Sequence, residues 1–303
     1  MFTKMEQILE AARTLPNRRR LVVAAAQDKD ALQAVGDALT WGVVSVTLVG
    51  DEDTIKSVAA EVGLDLAQCS LLNEPDPVQA AKTAVAMVSG GQADLVMKGK
   101  VGTADILRAV LDKDEGLRTD RLLSHVAVLE VEGYERLFML TDGAMNIAPD
   151  LEQKIQIAQN AVDVANALGI EEPRIAPLTA VEVVNPKMQA TIDADGLAKA
   201  AARGEIGRAI VSGPIALDGA VSAKSAEIKG ITGPVAGNAD ILLVPMIEAG
   251  NVLYKSIIYF ARSRAAGVIA GARAPVVLTS RSDSREAKLN SIALGAIIAA
   301  QGK

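Results

Sequence analysis

The sequence predicts an α/β fold in which buried parallel strands alternate with helices, and three observations lead to this prediction. Half of the 303 residues are hydrophobic but only 2% are aromatic, so the core has to consist of Ala, Val, Leu and Ile. Buried parallel strands are rich in Val, Leu and Ile, and helices pack closely through Ala. Short apolar runs alternate with helical patterns, and Gly, Pro and polar residues follow many of the runs. The length suits two ordinary domains or one large one.

The first half of the chain shows this alternation clearly. Strands are predicted at 21–26, 43–49 and 137–140, and helices at 31–39, 54–62 and 78–88. Asp30 is expected to cap the first of these helices. Pro149 and Asp150 are expected to start a long helix that Gly169 ends.

The second half repeats the layering. Strands are predicted at 174–178, 209–212 and 241–244, and a helix is predicted around 196–203. A further helix is expected to begin within 248–255 and to bury one apolar face, formed by Ile257, Ile258, Ala261 and Ala265. Tight turns at Gly and Pro join these elements, and no low-complexity linker is present.

Composition excludes several classes of protein. A net charge of −6 without a long basic block argues against nucleic-acid binding. One cysteine, Cys69, and one histidine, His125, exclude a disulfide framework and a metal site rich in those residues, and both are expected to be structural. The N-terminus has no apolar signal region, and no uncharged run reaches the roughly 18–20 residues of a membrane span. We therefore expect a soluble, cytoplasmic protein without a metal or a membrane partner.

A polar turn near the C-terminus is the strongest candidate site. The apolar run Val276–Leu278 is followed by Thr279, Ser280 and Arg281, after which a helical pattern begins. Ligands of parallel sheets bind at the carboxyl ends of strands, where helix N-termini offer free N–H donors. The guanidinium of an Arg matches a phosphate oxyanion, and a Ser hydroxyl can donate to a developing negative charge. This turn is therefore predicted to handle a phosphate.

Two carboxylates in the same segment have an equally good structural interpretation. Asp283 and Glu286 are spaced as a capping box, which would satisfy free N–H groups at the helix start. Ser282 or Ser284 could cap the helix instead. Ser280 and Arg281 precede the cap, so helix capping does not explain them.

Two other predicted strands end in loops of suitable chemistry. Residues 94–97 run into Lys98, Gly99, Lys100 and Gly102, and Thr103 is the expected N-cap of the next helix. Glycines allow a close backbone approach to an anion and lysines supply charge, although this spacing is not a Walker A loop and is weak evidence alone. The strand at 137–140 similarly leads into 141–146, a stretch of small polar residues with a Gly.

Taken together, four stretches resemble the phosphate acetyl/butyryltransferase family, and within it the butyryltransferase branch. They cover nearly the whole chain in the right order: Met97–Gly99 with Thr103; Thr141–Ile147; Val184–Met188 with Ala190–Ala194; and the run from Pro234–Gly237 through Gly250–Ser256 to Thr279–Ser284.

The resemblance implies a fold like that of isocitrate and isopropylmalate dehydrogenases, with two three-layer α/β/α domains and the active site in the cleft between them. The first domain would comprise residues 1–145 and 273–303, and the second would be inserted as 146–272. The implied reaction is reversible: acyl-CoA and orthophosphate give acyl phosphate and CoA. CoA and orthophosphate are then substrates, no cofactor is tightly bound, and a homodimer or higher homo-oligomer is expected.

The resemblance also implies roles for individual residues. Arg281 would hold the phosphoryl group, and Ser280 would stabilise the oxyanion or the leaving thiolate. In the acetyl branch an Asp lies seven residues beyond this Ser and serves as the base, but here that position is Ala287. Asp283 and Glu286 are therefore the candidate bases. The implied substrate-binding residues are Lys98, Gly99, Thr103, Thr141, Asp142, Asn146, Val235, Ala236, Gly237, Asn251, Tyr254 and Lys255.

Two other classes of function remain as alternatives. One is an oxidoreductase of the same fold that binds NAD and a divalent metal, against which the sequence offers no G-x-G-x-x-G and no clear cluster of spaced aspartates. The other is a catalytically silent CoA-binding protein, against which the presence of Ser280 and Arg281 argues.

Overall fold

The computed structural model describes residues 2–280 and 283–302, and its chain divides into two compact units. The N-terminal unit comprises Met5–Arg121 and Ala265–Lys303, and the central unit comprises Met1–Lys4 and Leu122–Arg264. Their bounds differ from those of the domains expected at 1–145 with 273–303 and at 146–272, which stay a prediction. Strands near 124–131 and 138–141 pair with each other inside the central unit, which moves its start towards the N-terminus.

In the N-terminal unit, strands alternate with helices along the chain. Its strands are β1 (Arg19–Ala24), β2 (Val44–Gly50), β3 (Cys69–Asn73), β4 (Leu95–Lys98), and, near the C-terminus, β10 (Ser263–Ala270), which enters from the central unit, and β11 (Val276–Val277). Its helices are α1 (Met5–Arg13), α2 (Lys29–Thr40), α3 (Glu52–Val62), α4 (Pro77–Ser89), α5 (Thr103–Val110) and α11 (Arg285–Gln301), with a 3-10 turn at Leu66–Gln68.

The sheet of this unit has the order β3-β2-β1-β4-β11-β10, in which β10 and β11 pair antiparallel and the other neighbours pair parallel. The chain runs from β1 outward to β3 on one side and continues with β4 on the other. The order therefore reverses between β1 and β4, and in such sheets ligands bind at the carboxyl ends of the strands beside the reversal.

The central unit is built on a similar plan. Its strands are β5 (Ser124–Val131), β6 (Phe138–Thr141), β7 (Arg174–Pro177), β8 (Ile210–Val211) and β9 (Ile241–Leu243). Its helices are α6 (Leu151–Ala167), α7 (Gln189–Ala202), α8 (Leu217–Val221), α9 (Ala223–Ile228) and α10 (Ile247–Phe260). The strand order is β5-β6-β9-β7-β8, with β5 and β6 antiparallel and the others parallel. Here the order reverses between β7 and β9.

The same arginine–aspartate fork closes the amino edge of both reversals. In the N-terminal unit, the backbone N and Nε of Arg20 donate to Oδ2 of Asp94 over 2.8 and 3.1 Å, and Nη2 donates to Oδ1 over 2.8 Å. In the central unit, Arg174 makes the same three bonds to Asp240 over 2.9, 2.8 and 2.8 Å. Each aspartate is buried and lies just before the inner strand, β4 or β9. Bidentate pairs of this kind fix geometry as well as charge.

Most predicted elements are present, and two departures affect the site. Asp28, rather than Asp30, caps α2, because its carboxylate accepts the N–H of Ala31. The apolar face expected on α10 is wrong: within this helix only Gly250 is buried, and the helix ends at Phe260. Ala265 is buried in β10 instead.

The α/β class itself is confirmed by the parallel strand pairs and the helices that separate them. Among the described residues, no helix combines the length and the apolarity that crossing a bilayer requires.

Candidate functional site

In the N-terminal unit, three parallel strands bring the predicted loops to one edge of the sheet. Ala24 of β1 is opposite Lys98 of β4, and Met97 of β4 is opposite Val277 of β11. The three strands therefore end side by side, at the reversal of strand order. The loop 98–103 and the turn that follows β11 are neighbours for this reason. Both segments were predicted because each follows an apolar run.

Backbone contacts seat the loop 98–103 against β1. The N–H groups of Gly99 and Lys100 donate to the carbonyls of Ala24 and Ala25 over 2.9 and 2.7 Å. A Cβ atom on Gly99 would collide with the carbonyl oxygen of Ala25 and lie 2.8 Å from that of Ala24, so a close approach requires this glycine. Lys98 is half-buried, and its ammonium donates to the carbonyl of Gly99 over 3.1 Å.

Thr103 is not the N-cap of α5. The helix begins at this residue, Gly102 occupies the N-cap position, and no side chain caps the start. The carbonyl of Gly102 accepts the N–H groups of Asp105 and Ile106, which moves the start one residue towards the N-terminus. Thr103 is exposed, so its hydroxyl is accessible at the carboxyl edge.

Two hydrogen bonds tie Ser280, which follows β11, to Asp283. Its Oδ2 accepts the N–H of Ser280 over 2.7 Å, and its own N–H donates to the carbonyl of Ser280 over 3.2 Å. Ser284 is the N-cap of α11, since its hydroxyl accepts the N–H of Ala287 over 3.1 Å. The capping box of Asp283 and Glu286 is therefore wrong, and the alternative with Ser284 is confirmed.

The four predicted catalytic residues differ in exposure, and the structure describes three of them. Ser280 and Glu286 are exposed at the carboxyl edge, and Asp283 is half-buried. Arg281, like Ser282, lies outside the described residues, so its role stays a prediction.

In the central unit, Asp142 organises the loop 141–146 that follows β6. Its Oδ1 accepts the N–H groups of Ala144 and Met145 over 2.9 and 3.0 Å. Its Oδ2 accepts the side-chain and backbone N–H groups of Asn146 over 2.6 and 3.2 Å. This buried carboxylate therefore shapes the loop. The hydroxyl of Thr141 donates to the carbonyl of His125 over 2.9 Å, which ties the loop to β5.

The start of α10 packs directly on this loop. Gly143 and Gly250 meet backbone to backbone: a Cβ on Gly250 would lie 2.7 Å from Cα of Gly143. The side-chain amide of Asn251 donates to the carbonyl of Gly143 over 3.2 Å. One predicted substrate-binding residue, Asn251 on α10, thus bonds the loop at the residue that follows another, Asp142.

The next turn of α10 carries Tyr254 and Lys255. The ring of Tyr254 meets that of His125 edge-on, with centroids 6.3 Å apart. Lys255 is exposed. The helix therefore presents one half-buried aromatic ring and one solvated cation close to the loop 141–146.

Val235, Ala236 and Gly237 do not join these loops at the carboxyl edge. They precede β9, on its amino side, whereas 141–146 follows β6, and the two strands run parallel. Val235 and Gly237 are buried, and the N–H of Gly237 donates to the carbonyl of Gly219 in α8 over 2.7 Å. Close contact with Ala223 leaves no room for a side chain at Gly237. Packing therefore accounts for this motif.

Sequence reasoning missed Lys288, in the second turn of α11. This lysine is buried, and its ammonium donates to the carbonyl of Asp283 over 2.6 Å. The available signal was the position of Lys288, Asn290 and Ser291 within a helix that is buried on all sides.

Cys69 is a weak candidate for a nucleophile. Burial raises the pKa of the Cys69 thiol to about 11, which makes it a poor nucleophile at neutral pH. Across residues 2–280 and 283–302, no group of three or more His, Cys, Asp or Glu side chains could hold a metal ion.

Comparisons with known proteins agree over nearly the full chain. A family model described as phosphate acetyl/butaryl transferase matches residues 3–80 and 76–296. A phosphate butyryltransferase from Clostridium acetobutylicum is 52% identical over 281 residues, which are 93% of each protein. A crystal structure of a branched-chain phosphotransacylase from Enterococcus faecalis V583 is 35% identical, with a TM-score of 0.82 over 93% of this chain and 99% of that one.

A protein described as a 4-hydroxythreonine-4-phosphate dehydrogenase from Salmonella typhimurium has the same fold. The TM-score is 0.58 at 12% identity, over 93% of this chain and 100% of that one. The dehydrogenase-like architecture expected from the sequence is therefore confirmed as a fold.

Proposed function

Because the chain belongs to the phosphate acetyl/butyryltransferase family, we propose that it reversibly transfers a short acyl group between coenzyme A and orthophosphate. The observation that carries the proposal is the alignment of β1, β4 and β11, whose carboxyl ends bring Lys98 beside the turn of Ser280. This edge combines a cation, a hydroxyl and the start of α5, which no side chain caps, and this is the chemistry that binds a phosphate.

The reaction breaks one bond and forms one bond. In the direction of acyl phosphate synthesis, an oxygen of orthophosphate attacks the thioester carbonyl carbon, and the C–S bond of the tetrahedral intermediate breaks. The proton lost by the phosphate is balanced by the proton taken up by the CoA thiolate. No electrons are exchanged and no tightly bound cofactor is needed, and a cytoplasmic location, where both substrates occur, is part of the proposal.

The N-terminal unit handles the phosphate in this proposal. Arg281 is assigned to hold the phosphoryl oxygens, and Lys98 at the carboxyl edge supplies a second cation. The exposed hydroxyl of Ser280 donates to the thioester oxygen or to the leaving thiolate as negative charge develops there. Removing one such donor typically costs 10²–10³-fold in kcat.

Of the two candidate bases, Asp283 and Glu286, we favour Glu286. Asp283 already accepts the N–H of Ser280 through Oδ2, so we assign it first to holding the turn. Glu286 is exposed in the first turn of α11 and is the better candidate for taking the proton of the CoA thiol. A CoA thiol of ordinary pKa, about 8.5, is already partly ionised near neutrality, so a base would contribute about 10²–10⁴-fold.

The central unit binds coenzyme A in this proposal. The loop 141–146 contributes Thr141 and Asn146 to the site, and the start of α10 contributes Asn251 and Tyr254. The exposed ammonium of Lys255 meets a phosphate of CoA. Val235, Ala236 and Gly237 support the unit by packing against α8 and α9 and do not touch the substrate.

Phosphate-dependent release of CoA from acetyl-, propionyl- and butyryl-CoA tests the function directly, and the three substrates compare acyl preferences. We expect release with the wild type only when phosphate is present, and losses of at least about 10²-fold for Ser280→Ala. Arg281→Ala should mainly raise the KM for phosphate. Asp283→Asn and Glu286→Gln compare the two candidate bases.

The controls separate the alternatives. Lys255→Ala should raise the KM for CoA and leave the KM for phosphate unchanged. Reduction of NAD with hydroxy acids, in place of CoA release, would establish the oxidoreductase alternative. CoA binding without release under any condition would establish a silent CoA-binding protein. An unchanged phosphate response of Arg281→Ala would remove this residue from its role.

A homodimer or higher homo-oligomer completes the proposal, and the outer face of α10 supports it. Val252, Tyr259 and Phe260 are 64, 65 and 90% exposed on this helix. The chain has only seven aromatic residues, three Phe, three Tyr and one Trp, so two adjacent exposed ones form a notable apolar patch. We assign the face to a second copy of the chain. Phe260→Glu should lower the mass measured by light scattering, and an unchanged mass would reassign the face.

A further inference from the structure

Lys288 is a buried cation with an unusual set of partners. It is 4% exposed, and its Nζ donates to the backbone carbonyl of Asp283 over 2.6 Å. Among the described residues, the carboxylate paired with it is that of Asp30, whose Oδ2 lies 3.9 Å away on a side chain that is 55% exposed. By contrast Lys154, the other lysine buried among the described residues, lies 2.5 Å from the buried carboxylate of Asp193.

Stability does not account for a lysine at this position. Burial of an ammonium group is costly unless a close counter-charge and hydrogen bonds repay it. Lys288 also lies in the second turn of α11, close to the helix end at which a positive charge is disfavoured. An apolar side chain of the same length would fill the space without these costs.

The contacts of Lys288 lead directly to the candidate catalytic serine. The ammonium fixes the carbonyl of Asp283. The carboxylate of Asp283 accepts the N–H of Ser280 over 2.7 Å, and the N–H of Asp283 donates to the carbonyl of Ser280 over 3.2 Å. Three hydrogen bonds thus join Lys288, Asp283 and Ser280 in series.

Lys288 also links two helix starts at the carboxyl edge. Asp30 lies in the first turn of α2, which follows β1, and Lys288 lies in the second turn of α11, which follows β11. In the sheet, β1 and β11 are the two neighbours of β4, whose loop carries Lys98. Lys288 therefore joins the starts of the helices that follow the two neighbours of β4.

We propose that Lys288 is a positioning residue for acyl transfer: it holds the turn that presents Ser280, and it is kept for this purpose despite its cost to stability. The proposal rests on the function proposed above. It predicts a dissociation between stability and rate that a merely structural lysine would not give.

The test compares Lys288→Met with the matched control Lys154→Met. Lys288→Met should melt at or above the wild-type temperature, because an apolar isostere replaces a poorly paired cation. Its kcat should fall about 10- to 100-fold, since a misplacement of about 1 Å costs up to 10²-fold, while its KM for acyl-CoA stays within about twofold. Lys154→Met should melt at a lower temperature, because it strands the buried carboxylate of Asp193, but should keep the wild-type kcat per folded molecule.

Lys288→Arg is the second variant, because it keeps a cationic donor towards Asp283. We expect its kcat to lie closer to the wild type than that of Lys288→Met. A folded Lys288→Met with wild-type kcat would overturn the proposal. Equal losses of kcat in Lys288→Met and Lys288→Arg, with both variants folded, would also overturn it.

Amide hydrogen exchange provides a readout that needs no activity. In Lys288→Met the amides of Ser280 and Asp283 should exchange at least about tenfold faster than in the wild type, while those of α6 are unchanged. Unchanged exchange at both amides would overturn the proposal. A wild type that releases no CoA would instead refute the proposed function, and the exchange result would still decide whether Lys288 holds the turn.

Discussion

The contact between Gly143 and Gly250 gives the sharpest test of how the central unit forms its site. In Gly250→Ala the new methyl carbon would lie 2.7 Å from Cα of Gly143, 2.8 Å from Cγ2 of Val244 and 2.9 Å from the carbonyl oxygen of Asp142. The atoms of Gly143 and Asp142 are backbone atoms of the loop 141–146. They cannot turn aside as a side chain can, so either the loop or α10 has to move.

The size of the movement follows from these distances. Ordinary contact begins near 3.4 Å, so Gly143 and Gly250 have to separate by about 0.7 Å, the difference from 2.7 Å. Overpacking of this kind costs about 1–3 kcal/mol, and alanine regains about 1 kcal/mol of helix propensity over glycine. The free energy of unfolding should therefore fall by only about 0–2 kcal/mol. The rate should fall further, by about 10- to 100-fold, because the displaced loop carries Asn146 and contacts Asn251.

Urea denaturation measures the first quantity and phosphate-dependent CoA release the second. Gly36→Ala is the matched control: it lies inside α2, and its new Cβ would meet only Cδ1 of Leu64, at an ordinary 3.6 Å. It should stabilise the protein by about 0.5–1 kcal/mol and leave the rate unchanged. Wild-type kcat and KM in Gly250→Ala would refute the assignment of this contact to the substrate site.

Three further predictions concern individual contacts. Ser284→Ala removes the cap of α11 and should lower the free energy of unfolding in urea by about 1 kcal/mol, and no loss would show that another group caps the helix. Asp240→Asn weakens the buried fork with Arg174 and should cost about 3–5 kcal/mol in the same measurement, whereas a loss below 1 kcal/mol would contradict the fork's role. The pKa of Cys69, raised by burial to about 11, keeps the thiol protonated at neutral pH, so alkylation by iodoacetamide should be slow at pH 7 and rise about tenfold per pH unit towards pH 11. Fast alkylation of the folded protein at pH 7 would contradict that shift.

The strands at 19–24, 44–50 and 95–98 were predictable because each contains a short stretch rich in Val and Leu. β10 was not, because Ser263–Ala270 is rich in Ala and continues the apparent pattern of α10, and only pairing within the sheet makes it a strand. The exposed face of α10 was missed for a related reason. Periodicity identifies an apolar face on a helix, but it does not tell whether the same chain covers that face.

The site was predictable at the level of loops and less so at the level of atoms. Turn chemistry after β4, β6 and β11 identified three segments, because polar residues and glycines follow apolar runs there. Which side chain caps a helix depends on local bonds within one residue of the boundary, as Thr103 and Ser284 show. The contacts of Lys288 and the packing of Gly237 depend on elements distant in the chain, and no local pattern reports them.

The paired forks of Arg20 with Asp94 and of Arg174 with Asp240 have a consequence for how the protein can change. Each locks the register of two central strands from the amino edge, so strand alignment does not depend on the loops at the other edge. Substitutions that adapt the protein to a longer or branched acyl group can accumulate in those loops while both sheets keep their alignment. Anchoring and chemistry occupy opposite ends of the same strands, and this separation leaves one end free to diversify.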